Sequence, residues 1–295
     1  MTEKLAFVDT HVHFWERPHS KLEWVWLADD AVHPQLGAIQ PLKDLKTYAV
    51  PQLKADAEGS NVSKIVHVQA AIGSEDPVDE TEWLQAMANA TGWPNGIVAA
   101  APLQNPDVEG VLERHAEFAN LRGIRDFAQG DYLVDPDFHR GYALLEKYDL
   151  VCDLDCLWNN MGKAGDLAKK FPNTTLILDH AGFPQERNDE YLARWRAGLA
   201  AMAEAPNAVV KISGLGMGDY MAGGSWTVDS IRPYVLGCIE AFGVERSFFG
   251  SNWPVDRLYS DYSVVIDAYT EIIDGFSDSE KVALMSGNAE RLYRI

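Results

Sequence analysis

The sequence predicts a (β/α)8 TIM barrel, an α/β fold in a single domain over residues 1–295, and three features of the chain lead there. Short apolar runs rich in Val, Ile and Leu recur along its whole length. Polar loops and stretches of helical periodicity separate them. The runs are too short and too apolar to be half-exposed antiparallel strands. Alternation of this kind marks a parallel sheet wrapped by helices. An open doubly wound sheet is the competing arrangement, but no glycine-rich phosphate loop follows the first run.

The predicted strands are, in order, Leu5 to Phe14, Lys64 to Ala71, Gly96 to Leu103, Arg122 to Phe127, Leu150 to Cys156, Thr175 to Ala181, Ala208 to Leu215 and Ser247 to Asn252. The predicted helices begin with Val78 to Ala90, behind Pro77 and with acids in the first turns, and Pro106 to Asn120, opened by Asn105-Pro106-Asp107. Asp137 to Tyr148, Gly162 to Phe171, Asp189 to Ala205 and Val228 to Phe242 follow, and Tyr262 to Asp274 and Asp278 to Arg291 close the chain. Residues 14–50 form one long connection carrying His19, His33 and several tryptophans, and such connections in compact domains serve as lids or binding loops. In a barrel it leaves from the C-terminal mouth, where active sites form.

Composition narrows the partners. Hydrophobic residues make up 47% of the 295, enough for one sizeable core, and the net charge is −19. That surface repels nucleic acid and anionic membranes, while a few local cations still suffice to bind an anion in a cleft. Cys152, Cys156 and Cys238 read as buried packing residues, not as a disulfide or a zinc site. With no cleavable signal and no long apolar window, the expected location is cytoplasmic.

The candidate site residues lie at the C-terminal ends of the runs. His11 and His13 share a face of the first strand by alternation, with Asp9 two residues deeper in the same register. Paired imidazoles at a barrel mouth hold a divalent metal or polarise a carbonyl oxygen, and satisfied core histidines are the plain alternative. His180, at the end of the sixth run, can converge on them, and Asp179 either orients a neighbour or caps the next helix. Hydrolysis calls for a carboxylate at the end of strand eight, but Asn252 stands there. Asp256 is the nearest replacement as proton acceptor, with a solvent-facing loop cap as the other reading. Arg125 and Lys211 either bind a substrate carboxylate or ester oxygen or form ion pairs with Asp153 or Asp155. Gln69 offers an amide hydrogen bond, and His67, lying deeper, reads as a core histidine. Trp26, Trp158, Trp253 and Tyr220 suit an apolar or sugar-stacking wall, or ordinary packing.

The blocks HVHFWERPHSKLEWVWL, HVQA, GIRDF, LDHAGFP, VVKISGL, FFGSNWPVD and NAERLYRI, in this order over nearly the whole chain, resemble the amidohydrolase-2 branch of the amidohydrolase superfamily. Within it the sequence is most similar to the group of fuconolactonase and 2-pyrone-4,6-dicarboxylate lactonase. The resemblance implies a barrel that opens a sugar-acid or dicarboxylate lactone by water attack, with His11, His13 and His180 around the substrate carbonyl. It implies that no cofactor is required, a single Zn2+ on these three histidines being the alternative. The matching strand-eight residue in many relatives is Asp, and Asn252 departs from that pattern. The fourth run has no Lys or Glu to bridge two metals and no His ends the fifth, so a binuclear site lacks its ligands. A zinc-dependent decarboxylase of the same superfamily and a catalytically silent ligand-binding barrel are the rival readings. The expected partner is a small-molecule lactone, with no nucleic acid and no membrane, and a homodimer is the common assembly.

Overall fold

A computed structural model describes residues 4–33, 36–221 and 224–295, the side chains of 220 and 221 excepted. Its central sheet has parallel strands β1 (Phe7–Val12), β2 (Val62–Val68), β3 (Gly96–Ala100), β4 (Leu121–Arg125), β5 (Val151–Leu154), β6 (Leu176–Leu178), β7 (Ala208–Ile212) and β8 (Ser247–Phe249), hydrogen-bonded in chain order. Closure comes from the bridge between Val12 and Trp253, and the His13 amide donates to the Trp253 carbonyl at 2.8 Å. Thr10 Oγ1 donates to the Phe249 carbonyl at 2.8 Å across the same seam. The sheet is the expected (β/α)8 barrel.

Around it run α1 (Val50–Asp56), α2 (Val78–Thr91), α3 (Val108–His115), α4 (Pro136–Lys147), α5 (Met161–Lys170), α6 (Asp189–Ala203), α7 (Val228–Phe242) and α8 (Tyr262–Ile272). Their starts follow local chemistry: Asp135 and Asn188 accept the Asp137 and Tyr191 amides, and Thr227 forms a capping box with Ser230. The last predicted helix is broken into Asp278–Val282, a π-helical turn at Ala283–Gly287, and Asn288–Tyr293. Val8, Val66, Val98, Val151, Ile177, Val209 and Phe248 fill the lower barrel, and Ala289 and Tyr293 pack against them from the closing helix. The strand β4 places Gly123 beside them, where a Cβ would sit 2.6 Å from Val151 Cγ2.

Alternation along β1 does not hold as expected. The pairing of β1 with β2 slips between Asp9 and Val12, an irregularity that re-aims side chains. Val8 therefore joins the inner cluster, while Asp9 accepts from the Ser251 amide and hydroxyl and from Tyr262 of α8. Asp9 thus anchors the barrel wall instead of underlying the histidine pair. The strand β8 stops at Phe249 and β6 at Leu178, so Asn252 and His180 sit in the turns beyond them. The long connection is pinned at its base by Trp15–Glu16 pairing with Thr47–Tyr48, and the Arg17 guanidinium donates to the Leu27 and Lys43 carbonyls. All three cysteines are free and buried, and among the described residues no helix is long and apolar enough to cross a membrane.

Candidate active site

The C-terminal mouth holds a cavity of about 400 Å³, the size of a small-molecule site. Its polar lining comes from the ends of six strands: His13, Gln69, Arg125, Asp155, His180 and Asn252. The lid loop contributes Trp26, His33 and Leu36, and Ile72, Phe127, Phe183, Met217 and Val255 complete an apolar rim. Trp26 is fixed by its indole N–H, which donates to the Ala70 carbonyl at 2.9 Å.

Sharp turns present these groups. His180, Ala181 and Phe183 all have positive φ near 50°, and Asn252 has φ 69°. Non-glycine residues in this region cost about 1–3 kcal/mol each, which the surrounding packing sustains. Gly214 follows β7 at φ +61°, and a Cβ there would lie 2.8 Å from His180 Nδ1. Only glycine leaves room for that imidazole.

Three imidazoles cluster as expected, His11 lying 4.9 Å from His13 and 4.3 Å from His180 between ring centres. Their hydrogen bonds assign their protons. His13 Nδ1 meets the Val68 carbonyl at 2.9 Å, and a carbonyl only accepts, so Nδ1 carries the hydrogen and Nε2 a lone pair. Burial, aided by Arg125, pushes His13 down to about 3, so it is neutral at pH 7. His11 lies behind it, fully buried, with Nδ1 3.7 Å from the Asp179 carboxylate and Nε2 3.5 Å from Arg125. His180 Nδ1 pairs with the Ser213 hydroxyl at 2.9 Å. A hydroxyl can donate, which leaves His180 free to carry its hydrogen on Nε2.

Arg125 stands among them, donating to the Gln69 carbonyl at 2.9 Å and lying 3.6 Å from Asp155 and 3.7 Å from Asp179. Beneath it, Lys211 is sealed between Asp153 and Asp179, 3.0 Å from the latter, and Tyr293 donates to Asp153. Burial opposes the charge on Asp179, but Lys211 outweighs it and holds this carboxyl well below the usual range. Lys211 therefore takes the ion-pair role and does not line the cavity. Asp179 does not cap a helix; it faces His11, Arg125 and Lys211.

Several expected site residues stand apart from the cavity. Asp256 does not face solvent either: it is 3% exposed and accepts from Asn252 Nδ2 at 2.8 Å. Burial pushes it up to about 8, so it is mostly protonated at pH 7. Trp253 is buried with its indole on Asp56, and Trp158 lies near Arg194, outside the lining. The Tyr220 side chain lies outside the described residues. His67 is a core histidine, its Nε2 accepting from the Phe14 amide. Asp155 is the functional candidate that sequence reasoning placed only as an ion-pair partner. Its signal was its position two residues past Asp153 in the fifth run, just beyond the strand end.

The donors suit a metal in part. His11 and His13 both turn an Nε2 lone pair toward the site, as a zinc ligand needs, but only His13 has its Nδ1 hydrogen-bonded; His11 Nδ1 is buried without a hydrogen-bond partner. Against this, the His11 lone pair faces the Arg125 guanidinium, residue 252 is not a carboxylate, and among the described residues no three His, Cys, Asp or Glu are arranged to hold an ion. As arranged, the residues do not fit a metal centre.

The chain matches the amidohydrolase family over residues 8–295. It is 38% identical to an uncharacterized protein of Sinorhizobium fredii, with 99% of each chain covered. It is 30% identical to an L-fucono-1,5-lactonase of Burkholderia multivorans, over 98% of this chain and 96% of that one. Among solved structures, an amidohydrolase from Burkholderia multivorans with bound zinc superposes with a TM-score of 0.83 at 28% identity, over 98% of this chain and 99% of that one.

Proposed function

This chain belongs to the amidohydrolase family, and we propose that it is a lactone hydrolase acting on lactones of hydroxylated sugar acids. The observation that carries the reading is one cavity wall on which a guanidinium, Arg125, and an imidazole able to donate, His180, stand beside the lone pair of His13. The relatedness to L-fucono-1,5-lactonase over nearly the whole chain supports it. Sugar acids are favoured over dicarboxylates because Arg125 is the one Lys or Arg lining the cavity among the described residues, and it already faces Asp155. Gln69 Oε1, buried without a partner, is suited to accept from a substrate hydroxyl.

In this reading the lactone carbonyl oxygen accepts from Arg125 and from His180 Nε2–H, which stabilise the oxyanion as water adds. His13 Nε2 accepts from that water and orients it, while His11 braces Arg125, with the Asp179 carboxylate 3.7 Å behind its Nδ1. Polarisation by three histidines, expected from the sequence, narrows to one donor imidazole plus the guanidinium. Asp256 orients the Asn252 amide and takes no proton from water. Trp26 and Phe127 flank the bound ring. A zinc on His11, His13 and His180 would supply Lewis-acid polarisation, and no step here depends on it.

The test is proton release from purified protein with a panel of five- and six-membered sugar lactones and carboxylated lactones, with and without chelator. Chelator-resistant opening of at least one sugar lactone is expected. Inertness toward every lactone would sink the reading, and activity lost on chelation and restored by zinc would move the polarising role to a metal.

A further inference from the structure

Resting on the lactonase reading, the geometry points to Asp155, and not a strand-eight carboxylate, as the general base and acid of this site. Residue 252 is Asn, so the proton acceptor has to come from elsewhere on the rim. The carboxylates around the mouth are otherwise committed. Asp9 is closed off by Ser251 and Tyr262, and Asp153 and Asp179 by Lys211. Asp126 accepts the Leu103 amide at 2.8 Å, and Asp256 is covered by Asn252. Asp155 alone among them lines the cavity, with 38% of its side chain exposed.

Its surroundings suit the task. Arg125 Nη1 lies 3.6 Å from its carboxylate and keeps the group turned into the cavity. Tyr132 donates to its main-chain carbonyl at 3.2 Å, tying down the loop that follows β5. Burial pushes the His180 pKa down from its ordinary value, and the nearby Asp155 charge offsets that shift only in part. Asp155 therefore stands on the same wall as the two groups that stabilise the oxyanion.

The step balances without a co-reactant. As the water oxygen bonds to the lactone carbonyl carbon, one water proton passes to the Asp155 carboxylate and the carbonyl π pair moves to oxygen. The oxyanion collapses, the ring C–O bond breaks, and the alkoxide leaves with the proton held by Asp155. The hydroxy acid product then ionises to solvent. His13, held at about 3, is a weak base and serves to orient the water.

The experiment compares the wild-type chain with D155N, D155E and D155A on a sugar lactone that the wild type opens, with thermal melts to confirm folding. Loss of a general base lowers kcat by about 10²–10⁴-fold. D155N is expected to show that loss with a wild-type melt. D155E should keep part of the activity, and millimolar formate should restore turnover to D155A, which a structural role would not allow. Turnover of D155N within fivefold of wild type, or a loss in D155A that formate leaves unchanged, overturns the assignment. If the wild type opens no lactone, the lactonase reading fails first and separately.

Discussion

Two sets of cation and carboxylate share this barrel mouth, and burial gives them opposite roles. Lys211 with Asp153 and Asp179 is fully enclosed, every charge answered by another within the protein. Arg125 with Asp155 lies one layer above, only 3.7 Å from Asp179, yet it borders the cavity, and its carboxylate is 38% exposed. The lower set has no direction left in which to bind anything. The upper set is held in place on one side and open on the other, the arrangement that preorganised catalysis needs. The same contrast separates Asp256 from Asp155: one is capped by an amide and kept protonated by burial, the other faces the space where a substrate fits.

The largest effect belongs to the enclosed set. Lys211→Met leaves Asp153 and Asp179 buried without their cation and is expected to cost about 3–5 kcal/mol in chemical denaturation. A loss under about 1 kcal/mol would mean that the two buried carboxylates do not depend on the Lys211 cation. On the open side, Arg125→Ala should lower kcat/KM by about 10²–10³-fold, by removal of an oxyanion donor, with a smaller change in melting temperature. Equal losses of stability in the two variants would erase the distinction between the sets.

A third prediction concerns pH. Asp256 has a folded-state value near 8 against an ordinary 3.8, so its contribution is fully present below about pH 4 and fades as pH rises toward 8. Between these limits the native state binds more protons than the unfolded one, and stability falls with pH. Asp256→Asn should flatten the fall between pH 5 and 7 by about 1.4 kcal/mol per pH unit, and denaturation at several pH values reads it directly. An unchanged slope would show that this carboxyl is not held protonated. The smallest effect is expected for Trp158→Ala, which lies off the cavity and should leave kcat and KM as they are. A raised KM would return Trp158 to the substrate wall.

Much of the site was legible because barrel chemistry sits at strand ends and those ends are apolar runs followed by polar residues. His13, His180, Arg125, Gln69 and Asn252 all line the cavity as their positions implied. Trp26 does too, from the lid. The misplacements have two causes, both tertiary. The face of Asp9 was reversed by a slip in strand pairing, which alternation cannot anticipate. Asp256 and Asp155 are both loop carboxylates just past a strand, and nothing local separates them. The turn at Asn252, with its positive φ, carries Asp256 behind the amide, whereas the chain after β5 leaves Asp155 in the open.

By itself the sequence determined the alternation of strands and helices, the family blocks and the residue types at the mouth, because these depend on short-range periodicity and identity. The tertiary structure decided which charges are sealed and which are open, and which imidazole nitrogen carries the hydrogen. Those properties depend on partners far apart in the chain, such as Val68 for His13 and Asp153 for Lys211, and only the closed barrel brings them within bonding distance.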